Sequence, residues 1–171
     1  LKVVDKCKSV IAESFIKYQG LEIKRNKFTN VVISNLVTGC TTLFNEELAQ
    51  IALPIPCNAI MHDWWLALTA SVFGRVIFID MPLVEYRQHQ NNTIGAKEFT
   101  KNQISSHTCF RFLTLSVSSH LVDVAEQASE FQRRFGKALK LKHNFFLKIV
   151  IMMKFRLGGF QRLFYRIARL F

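Results

Sequence analysis

The chain has 171 residues, 50% of them hydrophobic and 20% charged, which suits one ordinary folded domain and excludes a disordered segment. Its formal net charge of +11 is unevenly placed: residues 1–130 balance twelve Lys or Arg against twelve Asp or Glu, and residues 131–171 hold eleven Lys or Arg and no acid. That asymmetry points to a polyanionic partner, either nucleic acid or an anionic membrane face, while no uninterrupted apolar run reaches the roughly 18–20 residues of a spanning helix.

Sixteen Phe residues imply either a large core or a lipid-facing surface. The four cysteines, Cys7, Cys40, Cys57 and Cys109, form no CxxC pair and no zinc-type spacing with His. They read as reduced thiols of a cytosolic protein. The opening Leu-Lys-Val-Val-Asp has neither Met nor the charged start of a signal peptide, and it reads like the middle of a strand. The chain is therefore expected to begin inside a domain.

In chain order, residues 1–4 read as a strand end, and 9–20 as either a short helix or a loop. The β-branched run Val31-Val32-Ile33 predicts extended structure. Residues 37–44 read as a strand with a close-approach glycine at Gly39. Asn45 is a good N-cap for a helix to about Ala52, with Glu46 and Glu47 suiting its first turn. Leu53-Pro54-Ile55-Pro56 ends that helix in an extended loop. Asp63 can cap a helix over 64–73, closed by Gly74. Residues 76–79 read as a short buried strand, and 83–86 as extended. Residues 87–95 form a polar loop, and 98–135 are mostly helical with a break near 116–119. Residues 140–157 are helical, and Gly158-Gly159 is a hinge. In 160–171, Phe160, Leu163, Phe164, Ile167 and Phe171 share one helical face, with Arg162, Arg166 and Arg169 on the other.

Three places could carry chemistry. In His62-Asp63-Trp64-Trp65, a carboxylate opens a helix after a Pro-rich loop. It is either an N-cap beside two core tryptophans or an ionised general base at a cleft, and a helix N-terminus favours the ionised form for both roles. In Tyr86-Arg87-Gln88-His89, a loop after a strand is either solvated or reaches a phosphate through Arg87 and a metal through His89. One His alone is no metal site. In Asn35-Leu36-Val37-Thr38-Gly39-Cys40-Thr41, the glycine either admits a ligand or backbone closely or marks a β-bulge.

The order of these pieces is more specific than any one of them. Asn-x-Val-Thr-Gly-Cys-Thr is followed by Asn-x-x-Leu, Leu-Pro-Ile-Pro and His-Asp-Trp-Trp. Then come Phe-Gly-x-Val-x-x-Ile-Asp-x-Pro-Leu and Tyr-Arg-Gln-His-x-x-Asn. Over about residues 1–96 this series resembles family 2 glycosyltransferases, particularly rhamnosyltransferases. The opening Leu-Lys-Val-Val-Asp, with Ala-Glu-Ser-Phe further on, is similar to the segment those enzymes carry soon after their donor-metal motif.

The resemblance implies an α/β chain with an incomplete GT-A-type mixed sheet, the acceptor-side half, over 1–96. A helical extension over 97–135 and a basic amphipathic helical tail over 136–171 would follow. It implies Asp63 as the catalytic base of an inverting transfer, and Arg87 and His89 as the loop at the donor diphosphate or metal. It implies Gly39, Trp64 and Trp65 around the acceptor, with no firm role for His62. The complete enzyme would use a divalent metal, Mg or Mn. Its partners would be a nucleotide sugar, such as deoxythymidine-diphosphate rhamnose, and a glycan or lipid-linked glycan acceptor in surface polysaccharide biosynthesis. The family's paired metal-binding aspartates have no counterpart, since Asp5, Asp63, Asp80 and Asp123 are far apart in sequence. A fragment without the donor half, binding no metal and inactive alone, is therefore expected.

The tail's Phe160, Phe164, Arg162, Arg166 and Arg169 suit an interfacial helix on an anionic membrane, and the Phe-rich face fits nucleic acid poorly. The alternative is a tail helix packed on its own domain. The expected place is the cytoplasm, peripheral to the inner membrane face. The competing reading of the whole chain is an inactive remnant or a membrane- or partner-binding module.

Overall fold

The computed structural model describes residues 1–21, 27–89, 116–152 and 154. The chain divides into two compact units, one of Leu1–Lys24 with Ile77–Cys109 and one of Arg25–Val76 with Phe110–Phe171. This partition does not follow the boundaries at 96/97 and 135/136 read from the sequence.

The first unit holds a small mixed sheet of three strands, β1 (Lys2–Val4), β2 (Val10–Ala12) and β3 (Glu85–Arg87), in the order β2-β1-β3. β1 pairs antiparallel with β2 and parallel with β3, setting Val3 opposite Tyr86 and Val4 opposite Arg87. The β1–β2 turn is built by Asp5, whose Oδ1 accepts from the Cys7 N–H at 2.7 Å and the Ser9 N–H at 2.8 Å. Val3 and Val4 are the buried face of β1. The short helix α1 (Phe15–Tyr18) is capped by Ser14, and Phe15 meets the Tyr86 ring edge-on at 5.8 Å. Residues 76–79 take no place in this sheet, and Ile77 and Ile79 are 80% and 59% exposed. With Ile77, Phe78 and Ile79 exposed, the run has no buried face, and it is not the buried strand it was read to be.

The second unit is helical: α2 (Phe28–Ile33), a 3-10 turn at Gly39–Thr41, α3 (Glu46–Ala52), α4 (His62–Phe73), α5 (Ser116–Phe135) and α6 (Leu141–Met152). The β-branched run expected to be extended is the end of α2. Phe28, Val31 and Val32 stand at i, i+3 and i+4, and all are buried, so packing against α4 and α6 outweighs the local β preference. Residues 37–44 also form no strand. Their chain bends through the 3-10 turn at Gly39.

α3 follows its sequence signals, with the Asn45 side chain accepting from the Leu48 N–H at 3.3 Å. α4 is buried from Asp63 to Ala70 without interruption, as expected of a helix surrounded by others. α5 turns Leu121, Val124, Ala125, Ala128 and Phe131 inward at helical spacing. Residues 98–115 of the predicted long helix, the hinge at 158–159 and the amphipathic tail at 160–171 lie outside the described residues. Among the described residues no helix is long and apolar enough to cross a membrane. Cys7, Cys40 and Cys57 are free and exposed.

Two side chains of α5 hold the loop that leads into α4. Gln127 is buried and its Oε1 accepts from the Ile60 N–H at 3.0 Å. The Arg134 guanidinium donates to the Ile51 carbonyl at 3.0 Å, the Pro54 carbonyl at 2.7 Å and the Leu53 carbonyl. It thereby supplies donors to the carbonyl end of α3, where a cation is favoured. It also lies over the Trp65 and Phe135 rings, at 6.0 and 5.3 Å. Arg134→Ala is expected to cost about 2 kcal/mol in urea unfolding, since charge-assisted hydrogen bonds are lost and carbonyls left bare. Arg134→Lys recovers only part of that, because a point charge cannot match the forked geometry.

Candidate functional site

The helical unit brings together two segments far apart in sequence, 35–39 and the start of α4, around one carboxylate. α4 starts at His62, two residues before the sequence predicted, and Met61 in extended conformation is its N-cap. Asp63 is therefore inside the first turn rather than at the cap. Its side chain turns sideways. Oδ2 accepts from the Gly39 N–H at 2.7 Å, and Oδ1 accepts from the Asn35 amide at 3.2 Å and from the Trp64 N–H at 2.7 Å. Position in the first turn also favours negative charge there.

Asn35 is itself fixed. Its Oδ1 accepts from the Val37 N–H at 2.9 Å, which leaves its NH2 group to face Asp63. A carboxylate has about four acceptor positions. Among the described residues three are filled, and the one left open there is on Oδ2. Asp63 is 6% exposed, while Asn35 and Gly39 are half-buried and His62 is exposed, so the carboxylate sits just beneath the surface.

Gly39 is needed for room. A Cβ there would lie 2.6 Å from His62 Nε2 and 3.5 Å from Asp63 Oδ2. Of the two readings of this glycine, close approach is the one found, made in a 3-10 turn rather than a strand. The approaching groups are protein side chains. His62, given no role from the sequence, covers Gly39, and Asn35, read only as part of a motif, orients the carboxylate. The signal available for both was adjacency to residues already singled out.

The tryptophans have another place than the one the resemblance implied. Trp65 is 0% exposed, its Nε1 donates to the Ala52 carbonyl at 3.0 Å, and its ring meets Phe131 edge-on at 5.4 Å. Trp64 is also buried, with Nε1 donating to the Val31 carbonyl at 2.5 Å. Rings with so little exposed surface cannot wall a sugar pocket, and both are core residues.

Arg87 and His89 are exposed and belong to the sheet unit, Arg87 as the last residue of β3. Phe160, Arg162, Phe164, Arg166 and Arg169 lie outside the described residues. Among the described residues no three His, Cys, Asp or Glu side chains gather as a metal ion requires.

Comparison with protein-family models, curated proteins and solved structures finds no match to this chain.

Proposed function

We propose that this chain is the acceptor-side part of an inverting, nucleotide-sugar-dependent family 2 glycosyltransferase of GT-A type, with Asp63 as its general base. The observation that carries the reading is the 2.7 Å contact from the Gly39 N–H to Asp63 Oδ2. It joins two of the motifs in the series that carries the resemblance, 24 positions apart.

The chemistry follows from the carboxylate. Its remaining acceptor position on Oδ2 takes the proton of an acceptor hydroxyl. The hydroxyl oxygen forms a bond to the anomeric carbon as the bond from that carbon to the diphosphate oxygen breaks, which inverts the centre. The Asn35 and Gly39 donors hold the carboxylate oriented between turnovers. The resemblance assigns Arg87 and His89 to the leaving nucleoside diphosphate. The described residues do not fit a divalent metal, and no step here runs through one.

The reading is tested by offering the full-length protein a panel of nucleotide sugars, deoxythymidine-diphosphate rhamnose first, with a lipid-linked glycan acceptor. Transfer with inverted anomeric configuration is expected. The 171 residues alone are expected to transfer nothing. Retained configuration, or metal-dependent transfer by the 171-residue chain, contradicts the reading.

A second reading is favoured by the burial of Asp63 and its three hydrogen bonds. In that case the carboxylate is a clamp between α4 and the Asn35–Gly39 segment, and the chain is a non-catalytic membrane- or partner-binding module. No transfer from any nucleotide sugar by the full-length protein supports it.

A further inference from the structure

Helix α6 buries Phe146, Leu147 and Val150 against the rest of the helical unit. Its opposite side carries Leu141, Phe145 and Met152, which are 89%, 64% and 50% exposed. At i, i+4 and i+11 these three fall within about 40° of one another around the helix axis. Exposed Lys142 flanks the ridge on one side and exposed Lys148 on the other, with Lys140 at the helix start.

The formal charges on α6 itself are all of one sign, from Lys142 and Lys148. No acid occurs in residues 131–171. On the neighbouring α5, Glu130 is paired with Arg133 at 2.6 Å and Glu126 with Lys154 at 3.1 Å. A second copy of this surface would meet it with like charge and be repelled. A nucleic acid would find large apolar side chains where it needs cations. An anionic bilayer satisfies both features: the apolar ridge enters the acyl boundary and the lysine stems reach back to the headgroups.

We propose that α6 is a membrane-docking helix that lies in the plane of an anionic bilayer on its Leu141–Phe145–Met152 ridge. Its test needs no sugar donor, so it stands or falls apart from the transferase reading. A helix of this length gives a peripheral, salt-sensitive attachment.

The experiment is co-sedimentation of the full chain with phosphatidylcholine vesicles, with and without phosphatidylglycerol. Two double variants are compared with wild type: Leu141→Ser with Phe145→Ser, and Lys142→Glu with Lys148→Glu. All four side chains are exposed, so unchanged circular dichroism and melting are expected. The wild type is expected to bind phosphatidylglycerol vesicles and to release them as salt rises. Each double variant is expected to bind at least about tenfold more weakly, as loss of buried apolar area or of lysine charge requires. Equal vesicle binding by all three proteins overturns the proposal. So does no binding by the wild type, or a loss in the variants of self-association alone.

Discussion

Asp63→Ala is expected to lower the unfolding free energy of the chain by about 3 kcal/mol, because a buried charged acceptor disappears from beneath three donors. The Gly39 N–H, the Asn35 amide and the Trp64 N–H each lose their partner. The first turn of α4 also loses its only acid. Asp63→Asn keeps the shape and one oxygen but turns an NH2 group toward a donor, and about 1–2 kcal/mol is expected. Urea unfolding of the two variants checks this order. A cost below about 1 kcal/mol for Asp63→Ala is too little for a satisfied buried carboxylate and would contradict the network described.

Trp65→Ala is expected to cost about 3–5 kcal/mol, the range for truncating a fully buried aromatic. The Trp65 ring touches Phe131 and Phe135, and its N–H is the partner of the Ala52 carbonyl at the end of α3. Trp65→Phe keeps most of the ring and loses the hydrogen bond, at about 1–2 kcal/mol. The pair separates two roles. A core tryptophan shows its loss in the denaturation midpoint, whereas a sugar-stacking tryptophan shows it in acceptor binding with stability unchanged. The burial of Trp65 predicts the first.

What could be read in advance was local. Asn45 announced α3 because an Asn before two acids satisfies a backbone donor within four residues. Gly74 and the Pro54-Pro56 loop marked helix ends for equally local reasons. Val31-Val32-Ile33 misled because β-branching is a weak preference, and the burial of Phe28 three residues earlier decided the matter. For Trp64 and Trp65 the residues alone admitted a core reading, and only the resemblance put them around an acceptor. With both α2 and α3 packed on α4, consecutive residues are buried.

The site was half legible. The motif order drew attention to Gly39 and Asp63, but nothing in the sequence stated that they touch. Asn35 and His62 complete the cluster through contacts that span 28 and 23 positions, beyond any local pattern. Arg134 shows the limit most plainly. A cation in the last turn of a helix ordinarily reads as solvated, yet this one reaches carbonyls about 80 positions away.

In the proposed function the carboxylate at the start of α4 takes a proton from a sugar hydroxyl. Its most direct test is the turnover of the full-length protein carrying Asp63→Asn, measured beside nucleotide-sugar binding and melting temperature. The expected result is a loss of about 10²–10⁴-fold in kcat, the usual contribution of a positioned base, with donor affinity unchanged and the fold retained. Wild-type turnover by a folded Asp63→Asn protein would contradict it.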